Sequence, residues 1–297
     1  MYKRQQLYFA LKKFLFTNIF ILGLSASSVM ADHWGKPKNL SSNGPWNENL
    51  SAIIKDSDKL RLEKPKQTIV KQAGVSNIVD FEGTPRVYFQ WLTTDKEKIR
   101  NFDHIAFIDY KDQIWSEPKV VKFSASNDSK ILNKPKKYPV DPTVVRTSEG
   151  KYRMYFTTHS KKGTYIASAV SDDGENFNIE PGKRFRKKGF DIKDCAVVFF
   201  NDLWHMITPS HRNDGIGYYS YSTDGLLFVR GDDLKIDSKG DWLGNFFIKN
   251  EKVYFLGTRF VASTKDFKNW QKEFNHKLND PSMFVIGEKN IQISTTR

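Results

Sequence analysis

The sequence predicts an all-β protein: a five-bladed β-propeller of four-stranded antiparallel blades spanning residues 71–297. Three observations predict it. One turn recurs along the chain, a pair of β-rich runs precedes each copy, and no convincing amphipathic helix separates them. The spacing, about 40–60 residues, is that of repeated four-stranded units.

The turn is clearest in "SAVSDDGENF" (168–177), recurs in "SYSTDGLLF" (220–228) and "ASTKDFKNW" (262–270), and is weaker in "DYKDQIWSEP" (109–118). Asp-Gly suits a tight hairpin because glycine takes positive φ at little cost and aspartate tolerates it. Residues Tyr165, Ala167 and Ala169 alternate with Ile166, Ser168 and Val170 ahead of the turn, as in a strand. The aromatics Trp115, Phe177, Phe228 and Trp270 follow the four copies and open the next strand. The turn is therefore expected to join the third and fourth strands of each blade.

The upstream runs are "NIVDFEGTPRVYFQWLTTD" (77–95), "DPTVVRTSEGKYRMYFTTHS" (141–160), "DCAVVFFNDLWHMITPSH" (194–211), "DWLGNFFIKNEKVYFLGTR" (241–259) and "DPSMFVIGEKNIQISTT" (280–296). Each reads as strand, turn, strand. The fifth ends after two strands. Residues 45–72, with "QTIVKQ" at 67–72, are expected to supply strand and close the ring, because an open ring would leave a sheet edge bare. Residues 32–70 otherwise read as an N-terminal extension rich in Lys, Asn, Ser and Pro.

Residues 1–31 read as a secretory signal: Lys3, Arg4, Lys12 and Lys13, then the apolar "FLFTNIFILGL", then small residues at Val29 and Ala31. The apolar run is shorter than the roughly 20 residues of a spanning helix. The expected location is the periplasm or the cell exterior. The chain carries a net charge of +13 and one cysteine, Cys195, so it has no intrachain disulfide. The densest basic stretch is "GKRFRKKGF" (182–190). Such a stretch attracts acidic partners when it is more than a solvated surface, but no nucleic-acid motif accompanies it. There is no phosphate-binding glycine loop, no Gly-x-Ser-x-Gly elbow and no metal-ligand Cys/His set. "SDDGEN" and "HRNDG" lack the ligand spacing of a calcium loop. No cofactor or metal is expected, and a monomer is.

Asp141, Asp194, Asp241 and Asp280 open four of the innermost runs. In a closed ring these positions converge on the axial funnel. The first blade offers Ser76 or Asn77 there. Converging carboxyls are what hydrolysis of a glycosidic bond needs: one protonates the leaving oxygen, another activates water or attacks the anomeric carbon. The competing reading is an aspartate turn cap at each blade start. At the ends of the middle strands, His159, His211, Arg212, Arg259 and Trp91 could rim the pocket. Trp91 and Trp242 could stack on a sugar, and Arg212 and Arg259 could hold an anionic group.

The stretch "VDPTVVRTSEGKYRMYFTTHSKKGTYIASAVSDDGENF" (140–177) resembles the Asp-Pro strand, the Gly-Lys-Tyr-x-Met-Tyr strand and the Ser-x-Asp-Gly turn of the five-bladed propeller glycoside hydrolases. These are the arabinanase, xylosidase, invertase and levansucrase group, families 43 and 32 among them, and similar repeats occur in mannoside phosphorylases. The resemblance implies a glycosidase with an oligo- or polysaccharide substrate, an acidic one included. By the invertase pattern, "VDP" makes Asp141 a stabiliser of the transition state and "KDC" puts Asp194 at the acid position. "NDPSMF" makes Asp280 similar to the nucleophile motif, though in the last blade, not the first. Asp241 is the reserve. Two departures stand out: the arabinanase base in the first blade is replaced by Ser76 and Asn77, and no glutamate opens an inner strand. A non-catalytic glycan-binding propeller, or one that docks a protein partner, is the alternative.

Overall fold

The computed structural model describes residues 48–56, 60–95, 100–125, 139–160, 162–210, 214–235 and 241–296, with side chains 92–103 left aside. The expected signal at 1–31 and most of the extension lie outside these residues. So do His211 and Arg212.

In chain order, β1 (Asn49–Asp56) and β2 (Gln67–Lys71) come first. Blade 1 follows as β3 (Ala73–Phe81), β4 (Thr84–Asp95), β5 (Arg100–Lys111), β6 (Ile114–Trp115) and β7 (Lys119–Val120). β8 (Lys122–Ala125) precedes blade 2, which is β9 (Val140–Arg146), β10 (Tyr152–Ser160), β11 (Gly163–Ser171) and β12 (Asn176–Ile179). Blade 3 is β13 (Ala196–Phe200), β14 (Leu203–Pro209), β15 (Ile216–Ser222), β16 (Val229–Arg230) and β17 (Leu234–Lys235). Blade 4 is β18 (Asp241–Lys249), β19 (Lys252–Thr258), β20 (Phe260–Thr264) and β21 (Gln271–Asn275). β22 (Asn279–Ile286) and β23 (Lys289–Thr296) end the chain.

These strands form five sheets, and the protein is an all-β five-bladed propeller. The fifth sheet has the order β2-β1-β23-β22, so the two N-terminal strands complete the last blade. β1 pairs antiparallel with β23 over its whole length, from Asn49 opposite Thr296 to Asp56 opposite Lys289. That pairing covers the edge that a two-stranded fifth unit would expose. One addition to the expected pattern is β8, which joins the outer edge of blade 2 parallel to β12.

The apolar core lies between neighbouring blades. Tyr88 and Phe107 of blade 1 meet Val144, Phe156 and Phe177 of blade 2, and a similar cluster joins each later pair. Stacked sheets bury the inward alternate residues of each strand in this way.

The recurring turn turns out to be an inter-blade clasp. Asp173 Oδ1 accepts from the Glu175 and Asn176 amides, and Ser171 Oγ accepts from Gly174 N, so the four-residue turn closes on its own side chains. Tyr88 of blade 1 donates its hydroxyl to Gly174 O at 2.7 Å, and Tyr155 of blade 2 donates to Gly225 O at 2.9 Å. Arg86 reaches Asp173 O and Arg153 reaches Asp224 O in parallel. A Cβ on Gly174 would stand 2.7 Å from the Tyr88 hydroxyl, so the close approach as well as the positive φ requires glycine. In blade 4, Phe267 takes the glycine's place at φ 57° and stacks on His205 of blade 3, with ring centroids 3.5 Å apart.

A buried polar ring ties the inner strands together. Asn77 accepts from Val144 N and donates to Asn245 Oδ1. Asn245 donates to Ser76 O and Pro281 O, Ser76 bonds Ser282, and Thr143 donates to Cys195 O. All five blades are joined, which satisfies polar groups that burial would otherwise penalise. The ring's residues line two chambers, Ser76, Thr143 and Asn245 one of them and Asn77 and Val144 the other. The one bounded by later inner-strand residues is mixed: Val145, Val198, Phe247 and Met283 line it together with Asp80 and Arg146.

Candidate active site

The other chamber collects the aspartates. Just before Asn77, Thr143 and Ser282 the pairing to the second strand slips by one residue, a β-bulge in each inner strand. At these bulges Val75, Asp141 and Asp280 all adopt left-handed backbone, with φ of 50°, 55° and 43°. Asp194, two residues ahead of Ala196 in blade 3, does the same at 52°. Left-handed non-glycine residues cost about 1–3 kcal/mol each. Bulges re-aim a side chain, and here they coincide with one cavity lined by Asp141, Asp194 and Asp280, together with Val75, Ser76 and Cys195. Three of the four aspartates singled out in the sequence thus meet.

Asp241 does not join them. Blade 4 has one more residue in its bulge: Asp241 pairs with Thr258 and Asn245 with Leu256, four residues against two. Asp241 is itself the paired residue that precedes the bulge, whereas Asp141 and Asp280 lie inside theirs, and its Oδ1 accepts from Trp242 N at 2.8 Å. Here the turn-cap reading holds. Leu243 and Gly244 line the cavity in its stead. A Cβ on Gly244 would lie 1.8 Å from Leu256 O, so no larger residue fits.

The remaining candidates are placed differently from the expectation. Trp242 is a core residue, fully buried among Phe255, Phe260 and Trp270, with its indole N–H on Gly215 O. It offers no face to a sugar. Trp91 packs with the core between blades 5 and 1. Arg259 is exposed at the β19–β20 turn, and neither it, Trp91 nor His159 lines the cavity. His159 is exposed, and its charge acts on Asp191. In the basic stretch, Arg184 is structural, buried with bonds to Ser168, Leu226 O and Pro181 O.

Two of the three carboxyls are held above the usual carboxylate range. Asp194 is held well above the usual carboxylate range, by burial first, then by the charges of Asp141 and Asp280 and by a hydrogen bond with Asp141. Two carboxyls that hydrogen-bond each other share a proton, so Asp141 and Asp194 act as one unit. The Asp194 amide donates to Thr157 Oγ1 at 3.1 Å and fixes the backbone. Asp280 is raised to about 6, by burial and then by Glu48 and Asp141, with Thr295 opposing. Cys195 is buried, and burial followed by the Asp194 and Asp141 charges pushes its thiol up, so it is no nucleophile at neutral pH. The cavity has room for about one water molecule. Among the described residues no group of three or more His, Cys, Asp or Glu is arranged to hold a metal ion. No helix among them is long and apolar enough to cross a membrane.

No protein-family model matches the chain, and no curated protein is similar to it in sequence at a significant level. Solved structures are similar. A thermostable family-43 glycoside hydrolase superimposes with a TM-score of 0.54 at 12% identity, over 76% of this chain and 89% of that one. The fold is that of the family-43 hydrolases. A β-xylosidase/α-arabinofuranosidase from a compost metagenome, solved with xylotriose, gives 0.52 at 15% identity, over 75% of this chain and 90% of that one. A structure from the GH130 family of mannoside phosphorylases gives 0.52 at 12%, over 76% and 84%. The resemblance read from the motifs is therefore present in the fold, at low sequence identity.

Missed by sequence reasoning were Glu48, which acts on Asp280, and the roles of Thr143, Asn245 and Ser282 in the polar ring. The ring residues carry a weak signal, small or amide side chains within four residues of each inner-strand start. Glu48 carries none.

Proposed function

We propose that this chain is an exported carbohydrate-active protein, periplasmic or secreted, that hydrolyses a glycosidic bond in its axial cavity. One observation carries the reading: three aspartates from three blades line a single cavity, and two of them, Asp194 and Asp280, are held above the usual carboxylate range. A split pair of carboxyls is the requirement for an acid and a base at one pH. The neutral Asp194 gives its proton to the leaving glycosidic oxygen, with Asp141 holding the other end of their hydrogen bond. Asp280, ionised above pH about 6, takes a proton from the water that attacks the anomeric carbon. The water's hydroxyl bonds to that carbon as the bond to the leaving oxygen breaks. Net proton transfer from Asp280 back to Asp194 resets the site. The low identity to xylotriose-binding and other glycosidase structures leaves the sugar and linkage open to the assay.

The test is turnover of aryl furanosides, aryl pyranosides and natural oligosaccharides by the wild type, Asp194→Asn and Asp280→Asn. Loss of the acid should lower kcat/KM about 10²–10⁴-fold, most for poor leaving groups. A second reading has its own support: Val75 and Leu243 replace carboxyls in two blades, and the cavity is narrow. On that reading the propeller binds glycan without cleaving it. Equal inertness of all three proteins, with glycan binding retained, would decide for it.

A further inference from the structure

The strand that closes the ring also delivers a fourth carboxylate. Glu48 directly precedes β1. Its carbonyl accepts the Ala73 amide at 3.0 Å, and neighbouring Asn49 Oδ1 accepts the Gln72 amide at 3.3 Å. These bonds fix residue 48 at the start of β3, whose Val75 and Ser76 line the cavity. Gly74 leaves the side chain its space: Glu48 Oε2 lies 3.5 Å from the point where a Cβ on Gly74 would stand, and Thr295 Oγ1 lies 3.7 Å from the same point. Thr295 pairs across the strands with Asn279, the neighbour of Asp280. Thr295 is 3% exposed, and its hydroxyl hydrogen-bonds Asp280 and favours the charged form of that group. The same hydroxyl thus stands close to the Glu48 carboxyl and bonds the Asp280 carboxyl.

We propose that Glu48 is a positioning residue that governs when Asp280 holds its proton, so that ring closure and acid–base competence are one event. The charged groups that face Asp280 are Glu48 at the head of β1, Asp141 on β9 and, ahead of β13, Asp194. Lys193 beside Asp194 acts on that group in the opposite sense. Of the three carboxyls, Asp141 and Asp194 are tied to each other, which leaves Glu48 as the separable influence. Its negative charge disfavours a second charge on Asp280 and keeps the proton there to higher pH. The catalytic consequence rests on the proposed hydrolysis, with Asp280 as proton acceptor. The electrostatic coupling does not.

Two readouts separate them. The first is the acid limb of kcat/KM against pH for wild type, Glu48→Gln and Glu48→Asp. The second is the Asp280 carboxyl titration by ¹³C NMR on aspartate-labelled protein, its resonance assigned by loss in Asp280→Asn. Glu48→Gln should move both midpoints down by on the order of one pH unit. Glu48→Asp, which retracts the charge by a methylene, should move them down by part of that. An Asp280 midpoint unchanged in a folded Glu48→Gln overturns the proposal. Should that variant lose its native near-UV spectrum, Glu48→Asp decides in its place, and an unshifted midpoint there overturns it equally. If no glycoside is turned over by wild type, the hydrolysis reading fails, and the NMR titration still decides the coupling.

Discussion

Asp280 carries a stability cost that its chemistry explains. Its carboxyl titrates near 3.8 in an unfolded chain and at about 6 in the folded one, so the native state binds the extra proton between these values. Stability from this group is fully present below the unfolded value and is lost as pH rises to about 6 and beyond. Asp280→Asn removes the ionisation. The variant should be more stable than wild type at pH 8, by on the order of 2 kcal/mol after allowing for solvent in the cavity, and the gap should close near pH 4. Urea midpoints at the two pH values check this. Asp141, Asp194 and Asp280 were legible in the sequence because each opens an apolar run. Asp241 looked the same on paper. Its place before the bulge of blade 4, rather than within it, distinguishes it, and where a bulge falls is set by pairing to the second strand, not by local composition. Trp242 was legible as an important aromatic, but which face it presents depends on that same register.

At the scale of elements, the recurring turn earns its repetition through contacts with the blade before it. Arg86 shows how tightly. Its guanidinium makes paired bonds to Asp109 at 2.7 and 2.9 Å, lies 3.5 Å over the Phe81 ring, and reaches the Asp173 carbonyl of the next blade. Lysine keeps the charge but cannot supply the fork or the flat face. Arg86→Lys should destabilise the fold by about 2–3 kcal/mol, measured by urea unfolding, with no effect on substrate specificity. The strand–turn–strand pattern of each blade was readable from alternation and turn chemistry. The clasp was not, because its partners are separated by some 70–90 residues and meet only when blades stack. β8 was unreadable for a related reason: a four-residue strand at a sheet edge has too little pattern to stand out from a loop.

The whole molecule is held by closure. Five sheets meet through the buried polar ring, and β1 and β2 complete the last blade from the far end of the chain. Deleting residues 49–71 would leave β23 paired with β22 alone and remove the strand that follows Glu48. That deletion should abolish cooperative unfolding and promote self-association through the bare edge, seen by light scattering. Ring closure is also why Glu48 escaped the sequence: residues 48 and 280 become neighbours only in the finished toroid. The central claim is that closure brings carboxyls from successive blades close enough to keep one of them neutral at physiological pH. Difference infrared titration of wild type against Asp194→Asn between pH 4 and 8 tests it without any substrate. A protonated-carboxyl band that persists at pH 7 in the wild type and disappears in Asp194→Asn is the predicted result. A wild type with every carboxyl ionised at pH 7 would contradict it.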